Sequence, residues 1–241
     1  MSSASGGSGP GPGPGTPKQY LSIDGVPVIV RCLRTFLAVD RVEAVYVAVR
    51  GPEIERVKAL VEEFGLGGAG EGSAGSGKVH VVEGGENRQQ SVGNALTLLI
   101  AETGCAEDDV VLVHDAARPL IDAGTIERTI DAVVEHGAAI VGLPAVDTIK
   151  QVERTAHGAI VTATIPRERI VQAQTPQGAR CGLLRRAFAE AEADEFAGTD
   201  EASLLERAGI VVAVVAGSAK NFKITQPGDI ELAEFYLRAA R

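Results

Sequence analysis

The sequence has few of the residues that build disulfide frameworks or metal sites. Only three cysteines occur among the 241 residues. Cys32, Cys105 and Cys181 stand far apart and lack C-x-x-C spacing, so we expect reduced thiols. The four histidines also lack the spacing of metal ligands, and a zinc site is not expected.

Long basic runs and long apolar runs are also missing. The formal net charge is -9, and no basic run is interleaved with aromatic residues, so we do not expect nucleic acid as a partner. No apolar segment approaches the length of a membrane span, and the N-terminus does not show the basic-then-apolar pattern of a secretion signal. We therefore expect no membrane partner and a cytoplasmic protein.

The composition predicts one substantial folded domain. Hydrophobic residues make up 45% of the chain and charged residues 23%, which is enough apolar material for a sizeable core. Met1 to Gly15 consist almost entirely of glycine, serine, proline and alanine and predict a flexible segment. The domain is expected over residues 16–241, with a second glycine-rich stretch, Gly65 to Gly77, as a surface insertion.

Apolar β-type runs alternate with amphipathic stretches along most of the chain. This order predicts strand–helix–strand units and an α/β fold with a mostly parallel sheet covered on both faces. The predicted strands are Val42–Val49, Lys78–Val82, Val110–Val113, Ala138–Leu143 and Ile210–Val215. The predicted helices are Pro52–Phe64, Arg88–Glu102, Ala123–His136, Gly182–Asp194, one after Thr199, and Pro227–Ala240.

The stretch from Val146 to Ile170 breaks this alternation. Two β-type runs, Thr148–Glu153 and Ile160–Ile165, flank the turn residues Ala156-His157-Gly158, which predicts a hairpin. Such a hairpin has little to pack on within a covered sheet. We therefore expect a projecting arm, at about residues 146–170, that meets another subunit.

Charged residues follow the strongest predicted strand directly. Val110–Val113 runs into His114-Asp115-Ala116-Ala117-Arg118-Pro119, and ligands of open α/β sheets bind at the carboxyl ends of strands. Asp115 could hold a divalent metal or a sugar hydroxyl, and Arg118 could hold a phosphate. The alternative is an ordinary strand-to-helix turn with an ion pair.

Three other patterns permit ligand binding. Gly84 and Gly85 separate a predicted strand from a helix, where they would let a ligand approach the backbone or would only form a cap and turn. The stretch Thr199–Ser203 most simply predicts a helix N-cap with acids in the first turn, and a ligand-binding role is the alternative. Basic residues in loop contexts would bind phosphates if they cluster, and are ordinary surface charges if they do not; they are Lys18, Arg118, Arg167 and Lys223.

Taken in order, seven motifs resemble the 2-C-methyl-D-erythritol 4-phosphate cytidylyltransferase family from about Thr16 to Leu237. The motifs are Pro17–Leu21, Glu83–Gly85, His114–Pro119, Asp147–Lys150, Gln174–Gln177, Thr199–Ser203 and Asn221–Thr225. The resemblance implies a Rossmann-like three-layer nucleotidyltransferase fold. It also implies transfer of a cytidylyl group from CTP to 2-C-methyl-D-erythritol 4-phosphate, with release of pyrophosphate, in non-mevalonate isoprenoid biosynthesis. Mg²⁺ is the cofactor that it implies.

The resemblance also implies roles for individual residues and a homodimer. The implied catalytic residues are Lys18, Arg167 and Lys223. The implied nucleotide-binding residues are Gly7, Ser8, Gly9, Gly85, Glu86, Ser91, Asp115 and Ala116, with Asp115 also at the metal. The implied acceptor-binding residues are Arg118, Thr148, Arg167, Thr175 and Lys223. In the family the arm crosses to a second subunit, so Thr148 and Arg167 would serve the partner's site.

The N-terminus departs from the family pattern. The family begins with a buried strand and an Ala-Ala-Gly-x-Gly-x-Arg loop around the CTP phosphates, whereas Ser5–Gly11 read Ser-Gly-Gly-Ser-Gly-Pro-Gly and Gly11 replaces the arginine. Loss of that strand would expose the ladder groups of its neighbours. Two interpretations stay open: a truncated or misread start, which we favour, or an impaired enzyme.

Two other functions are also open at this point. One is a cytidylyltransferase for another polyol phosphate, such as ribitol 5-phosphate, because the acceptor-binding residues alone do not fix the polyol. The other is a non-catalytic family member that binds a nucleotide or a partner, which the missing loop arginine and first strand would favour.

Overall fold

A computed structural model describes residues 17–67, 78–226 and 228–239. The predicted flexible segment Met1–Gly15 lies outside these ranges, as do residues 68–77 of the glycine-rich loop. Pro227 and Ala240, the predicted ends of the closing helix, are also outside them. No helix in the described ranges is both long and apolar enough to span a membrane.

Strands and helices alternate along the described chain, and the predicted α/β class is confirmed. The strands are β1 (Ser22–Ile23), β2 (Val26–Pro27), β3 (Ala44–Val49), β4 (Lys78–Glu83), β5 (Val110–Val113), β6 (Ala138–Pro144), β7 (Ile149–Thr155), β8 (Gly158–Ile165), β9 (Val171–Arg180) and β10 (Ala213–Ala216). The helices are α1 (Val28–Leu37), α2 (Ile54–Glu63), α3 (Arg88–Thr103), α4 (Ala123–His136), α5 (Cys181–Ala193), α6 (Glu201–Arg207) and α7 (Gly228–Ala239).

The main sheet has four strands in the order β10-β6-β9-β5. β10 pairs parallel with β6, whereas β9 pairs antiparallel with both β6 and β5. β5, β6 and β10 therefore share one direction and β9 opposes them, so the sheet is mixed rather than mostly parallel: only one of its three strand pairings is parallel. β9 is not among the predicted strands because Pro176, which cannot donate to a ladder, and its polar neighbours are typical of a turn.

Several predicted boundaries shift by a few residues. β3 begins at Ala44 rather than Val42, and β10 begins at Ala213 rather than Ile210. α1 is not among the predicted helices. The boundaries of α4 match the prediction because Asp122 accepts a hydrogen bond from the Thr125 amide at 2.8 Å at its start and Gly137 follows its last residue with a φ of 88°.

β3 and β4 form a parallel pair separate from the main sheet. β3 and β5 line a common cavity of about 710 Å³, together with residues of α1 and α3. Within the described ranges, no strand pairs with the second edge of β3 or of β5. All four residues of β5 are consequently only half-buried, although an apolar run of this kind suits a fully buried strand.

The predicted arm is an antiparallel hairpin of β7 and β8 that forms a two-stranded sheet by itself. Most of its side chains are exposed. Val152, Ile160 and Val161 are 46%, 62% and 57% exposed, respectively. The arm thus carries apolar surface that the rest of the described chain does not cover.

Leu205 offers a test of the packing between α5, α6 and the main sheet. Its side chain is fully buried in a cluster with Leu96, Ala179 and Leu184. Leu205→Ala should lower the free energy of unfolding in urea by about 2–5 kcal/mol because it leaves a cavity. The matched control is Leu232→Ala on α7, where the leucine is 42% exposed. A loss at Leu205 no larger than that at Leu232 would contradict this packing.

Candidate active site

Asp115 lies directly after β5 and contacts cations from three separate parts of the chain. Its Oδ2 accepts a hydrogen bond from Lys223 Nζ at 2.8 Å, and Arg118 Nε lies 3.9 Å from the same oxygen. Its Oδ1 accepts from Arg88 Nε at 3.3 Å. The Asp115 side chain is only 16% exposed. Of the four loop cations named from the sequence, Arg118 and Lys223 therefore meet at Asp115.

Arg88 is itself held by a buried carboxylate. Its two terminal nitrogens, Nη1 and Nη2, donate to the two oxygens of Glu201 at 2.6 and 2.7 Å. The Glu201 side chain is 1% exposed. Glu201 is the first residue of α6, whose N-cap is Asp200. A two-pronged contact of this kind fixes the plane of the guanidinium as well as its position.

The start of α6 is tied to β9 in turn. Gln177 donates to Asp200 Oδ2 at 2.9 Å and accepts from the Ala202 amide at 3.0 Å. Asp200 also forms a capping box with Ser203, which agrees with the N-cap prediction for Thr199–Ser203. Residues of β9 thereby fix where Glu201 stands.

The loop that carries Lys223 is fastened to the loop that carries Asp115. The Ile224 amide donates to the Ala117 carbonyl at 2.8 Å, and Arg118 Nη1 donates to the Asn221 carbonyl at 2.8 Å. Asn221 is buried and donates to the Thr175 carbonyl at 2.8 Å. These bonds bring Lys223 to the strand end from a position 108 residues away in the sequence.

Thr175 supports the same loop from β9. Its hydroxyl accepts from the Asp115 amide at 3.1 Å and lies 3.0 Å from His114 Nδ1. Burial lowers the pKa of His114 to about 4, so the imidazole is neutral near pH 7. Thr175 itself is 3% exposed, which makes it a support of the loop in this structure.

Burial and charge act in opposite directions on the pKa of Asp115. Burial raises it, but the hydrogen bond from Lys223 and the charges of Lys223, Arg88 and Arg118 outweigh burial and lower it below its usual value. Burial also raises the pKa of Glu201, which the Arg88 contact opposes. Asp115 is therefore ionised near neutral pH and is compensated by its three cations.

The glycine loop lies between β4 and α3, as predicted. The Gly85 amide donates to Ser91 Oγ at 3.1 Å, and the Glu86 amide donates to Gln90 Oε1 at 2.9 Å. A Cβ on Gly84 would lie 2.8 Å from Ser91 Oγ, so a side chain there would disturb the packing of the loop. Ser91 lines the same cavity as Asp115.

The remaining predicted residues stand in different places. Ala116 packs against the core cluster of α1 and α2. Lys18 is exposed, in a short 3-10 helix, and its charge acts on Asp229 at the start of α7. Thr148 and Arg167 are exposed near the ends of the arm, where Arg167 Nη1 donates to the Val146 carbonyl at 2.7 Å. Neither contacts the Asp115 cluster.

Gly7, Ser8 and Gly9 lie outside the described residues. Their predicted contact with the nucleotide phosphates therefore stays a prediction.

Sequence reasoning missed Arg88 and Glu201 as members of the cluster. Arg88 follows the predicted glycine loop, and its place at the start of a helix beside that loop is a usable signal. Glu201 gives a weaker signal, because an acid in the first turn of a helix is common and favourable without any ligand. The two residues are 113 positions apart, so their contact appears only in the folded chain.

The donors at this site fit a metal that arrives with a polyphosphate. The described residues contain no group of three histidine, cysteine, aspartate or glutamate side chains that could hold a metal. Mg²⁺ commonly binds through one or two carboxylates plus the phosphates of a substrate. Asp115 provides such a carboxylate, and the surrounding cations disfavour a metal without phosphates.

Comparison with known proteins confirms the resemblance found in the sequence. The family model described as 2-C-methyl-D-erythritol 4-phosphate cytidylyltransferase matches residues 3–239. A protein of that name from Acidobacterium capsulatum is 65% identical over 222 residues, which cover 92% of this chain and 87% of the relative.

Solved structures agree with the sequence comparison. The 2-C-methyl-D-erythritol 4-phosphate cytidylyltransferase of Thermus thermophilus is 32% identical, has a TM-score of 0.69, and aligns over 93% of this chain and 95% of its own. The enzyme of that name from Francisella tularensis is 33% identical with a TM-score of 0.73, over 91% and 92% of the two chains. This chain therefore belongs to the 2-C-methyl-D-erythritol 4-phosphate cytidylyltransferase family.

Proposed function

We propose that this protein transfers a cytidylyl group from CTP to 2-C-methyl-D-erythritol 4-phosphate and releases pyrophosphate. The observation that carries the proposal is the meeting of Asp115 with Lys223, Arg118 and Arg88 at the end of β5, in a chain 65% identical to a protein named for that activity. Phosphate groups favour sites where several cations converge. The reaction joins two phosphate-bearing substrates.

The chemistry is an in-line displacement at the α-phosphorus of CTP. A phosphate oxygen of the acceptor forms the new bond to that phosphorus, and the bond to the bridging oxygen of the β-phosphate breaks. Pyrophosphate leaves with the electron pair of the broken bond. Since both reactants are anions, the protein contributes positioning and charge neutralisation more than covalent chemistry.

We assign the cations to the two substrates by their exposure and surroundings. Lys223 is 45% exposed, and its one side-chain ion pair with a described residue is to Asp115, so it can turn to the acceptor phosphate. Arg118 is 13% exposed and is fixed beside it. Lys18 is exposed and its charge reaches Asp229 rather than Asp115; its proposed role on the phosphates of CTP rests on the family resemblance alone.

On the nucleotide side, Gly85, Glu86 and Ser91 would hold the cytosine and ribose, with Ala116 beside them. The amides of Gly85 and Glu86 already donate within the loop, so a hydrogen bond from the amino group of cytosine to this loop would use a backbone carbonyl as the acceptor. Gly7, Ser8 and Gly9 would supply further amides to the phosphates.

Mg²⁺ is the cofactor of the proposed reaction, and Asp115 is the residue that would hold it. When bound, Mg²⁺ neutralises charge on the phosphates of the nucleotide.

The acceptor site is proposed to be completed by a homodimer. Thr148 and Arg167 stand on the arm, away from the Asp115 cluster of the same chain, whereas Thr175 lies within it. An isolated two-stranded hairpin is marginal in water, and this one exposes three large apolar side chains. An arm that packs on a second copy would bury those side chains and bring Thr148 and Arg167 to the partner's site. We also propose a cytoplasmic location, where CTP is made.

Pyrophosphate release tests the proposed reaction directly. With CTP, Mg²⁺ and 2-C-methyl-D-erythritol 4-phosphate, the protein should release pyrophosphate, and kcat/KM should be at least about tenfold higher than with ribitol 5-phosphate. Asp115→Asn should lower the rate by about a hundredfold because one carboxylate of the site is lost. A rate no higher than that of Asp115→Asn, or a preference for ribitol 5-phosphate, would contradict the proposal.

Lys223 and Lys220 form a matched pair within one loop. Lys223→Ala should lower kcat by about 10²–10³-fold because a cation is lost where charge develops. Lys220→Ala should change kcat less than about threefold, since Lys220 lies over the Tyr236 ring and contacts no residue of the Asp115 cluster. Steady-state kinetics at saturating substrates measures both. Equal effects of the two substitutions would remove Lys223 from the proposed mechanism.

The arm dimer is tested by placing a charge on the apolar surface of the hairpin. Val161→Glu should shift the protein from dimer to monomer in light scattering after size exclusion, because a buried unpaired carboxylate opposes packing of the arm. Val211→Glu is the control, since Val211 is 80% exposed and lies outside the arm. A wild-type protein that is already a monomer at micromolar concentration would contradict the arm dimer.

A further inference from the structure

The two oxygens of Asp115 are held by cations of different kinds. Oδ1 accepts from Arg88, whose two other nitrogens are both engaged by Glu201. Oδ2 accepts from Lys223, which is 45% exposed and makes no other side-chain contact among the described residues. Arg88 is therefore held by a second carboxylate besides Asp115, whereas Lys223 has no such second partner among the described residues.

The anchor is built from several elements and leaves little freedom. Arg88 is the first residue of α3 and Glu201 the first residue of α6, and the Glu201 side chain is 1% exposed. Gln177 of β9 fixes the start of α6 through Asp200 and Ala202. A guanidinium held at two nitrogens presents its third at a fixed angle.

The two hydrogen bonds of Asp115 therefore differ in whether a ligand can displace them: the Lys223 contact can be displaced, and the Arg88 contact cannot. A ligand that attracts Lys223 removes a partner from Oδ2 but leaves the Arg88 contact with Oδ1 unchanged. The carboxylate then keeps its orientation, with Oδ2 directed to the ligand. Once Lys223 leaves, a chain without Arg88 would keep, among the described cations, only the 3.9 Å contact of Arg118 Nε with Oδ2, and nothing would hold Oδ1 in place.

We propose that Arg88, locked by Glu201, is a positioning residue that holds Asp115 by Oδ1 and so presents Oδ2 to the nucleotide. This inference rests on the proposed function. Glu201 orients Arg88 and Arg88 orients Asp115, so the effect of each residue depends on the next one. We call these three residues the line of support for Asp115.

Double-mutant cycles test this line of support, because residues that act through one another give non-additive losses. Arg88→Lys keeps the charge but not the two-pronged contact, and it should lower kcat/KM for CTP by tenfold or more. In the Asp115→Asn background, Arg88→Lys should lower kcat/KM for CTP less than twofold. Glu201→Gln should likewise lower kcat/KM less in the Arg88→Lys background than in the wild-type protein. The control is Arg41→Lys, which alters a surface arginine that contacts Glu127 and Asp131 and should change kcat/KM less than twofold.

CTP binding measured by calorimetry without acceptor gives a second readout, independent of turnover. Arg88→Lys should weaken CTP binding in the wild-type background and leave it almost unchanged in Asp115→Asn. If circular dichroism shows that Arg88→Lys or Glu201→Gln does not fold, the double variant Arg88→Gln with Glu201→Gln, which removes both charges together, replaces that single variant in the cycle. Losses that multiply in full in both readouts would overturn the inference.

The two proposals fail in different ways. A wild-type protein that binds CTP but releases no pyrophosphate refutes the proposed reaction, while the binding cycle still tests Arg88. If the wild-type protein turns over normally but the losses of the single variants multiply in full in the double variants, only the positioning role of Arg88 is refuted.

Discussion

The constraint on which the site depends is the charge of a mostly buried carboxylate. An ionised Asp115 at 16% exposure needs compensation, because an unpaired charge in such surroundings is costly. Lys223, Arg88 and Arg118 supply it from three parts of the chain, and each must be brought there by backbone bonds or helix starts. The fastening of the Asn221–Thr225 loop and the placement of α3 and α6 serve the same carboxylate.

Much of the fold could be predicted because it depends on local patterns. Alternating apolar and amphipathic runs predicted β3–β6, α2–α5 and the arm, and the caps at Asp122 and Asp200 fixed helix starts close to the expected residues. Asp115 and Arg118 could be predicted as a pair because a strand end delivers them together. β9 could not be predicted, since the polar residues around Pro176 are typical of a turn. This segment becomes a strand because β5 and β6 hydrogen-bond to it on its two sides.

The parts of the site that escaped prediction depend on contacts between distant residues. Arg88 meets Glu201 across 113 positions and Lys223 meets Asp115 across 108, and no periodicity encodes either contact. The motif resemblance supplied the place of Lys223 but not the support behind Asp115. The unpaired edges of β3 and β5 around their common cavity are a further case, because only the pairing of the described strands shows which edges have no neighbour among them.

The inner cluster has a charge opposite to that of the whole chain. Arg88, Arg118 and Lys223 carry three positive charges against the two carboxylates of Asp115 and Glu201, so one positive charge is in excess there, while the formal net charge of the chain is -9. A polyanion that approaches therefore meets an unfavourable net charge at long range and a favourable excess charge at the Asp115 cluster. Since salt screens exposed charges beyond about 8 Å at physiological ionic strength, repulsion from distant acids fades while the local attraction persists. Salt would therefore assist the entry of an anionic ligand until it begins to screen the cluster itself.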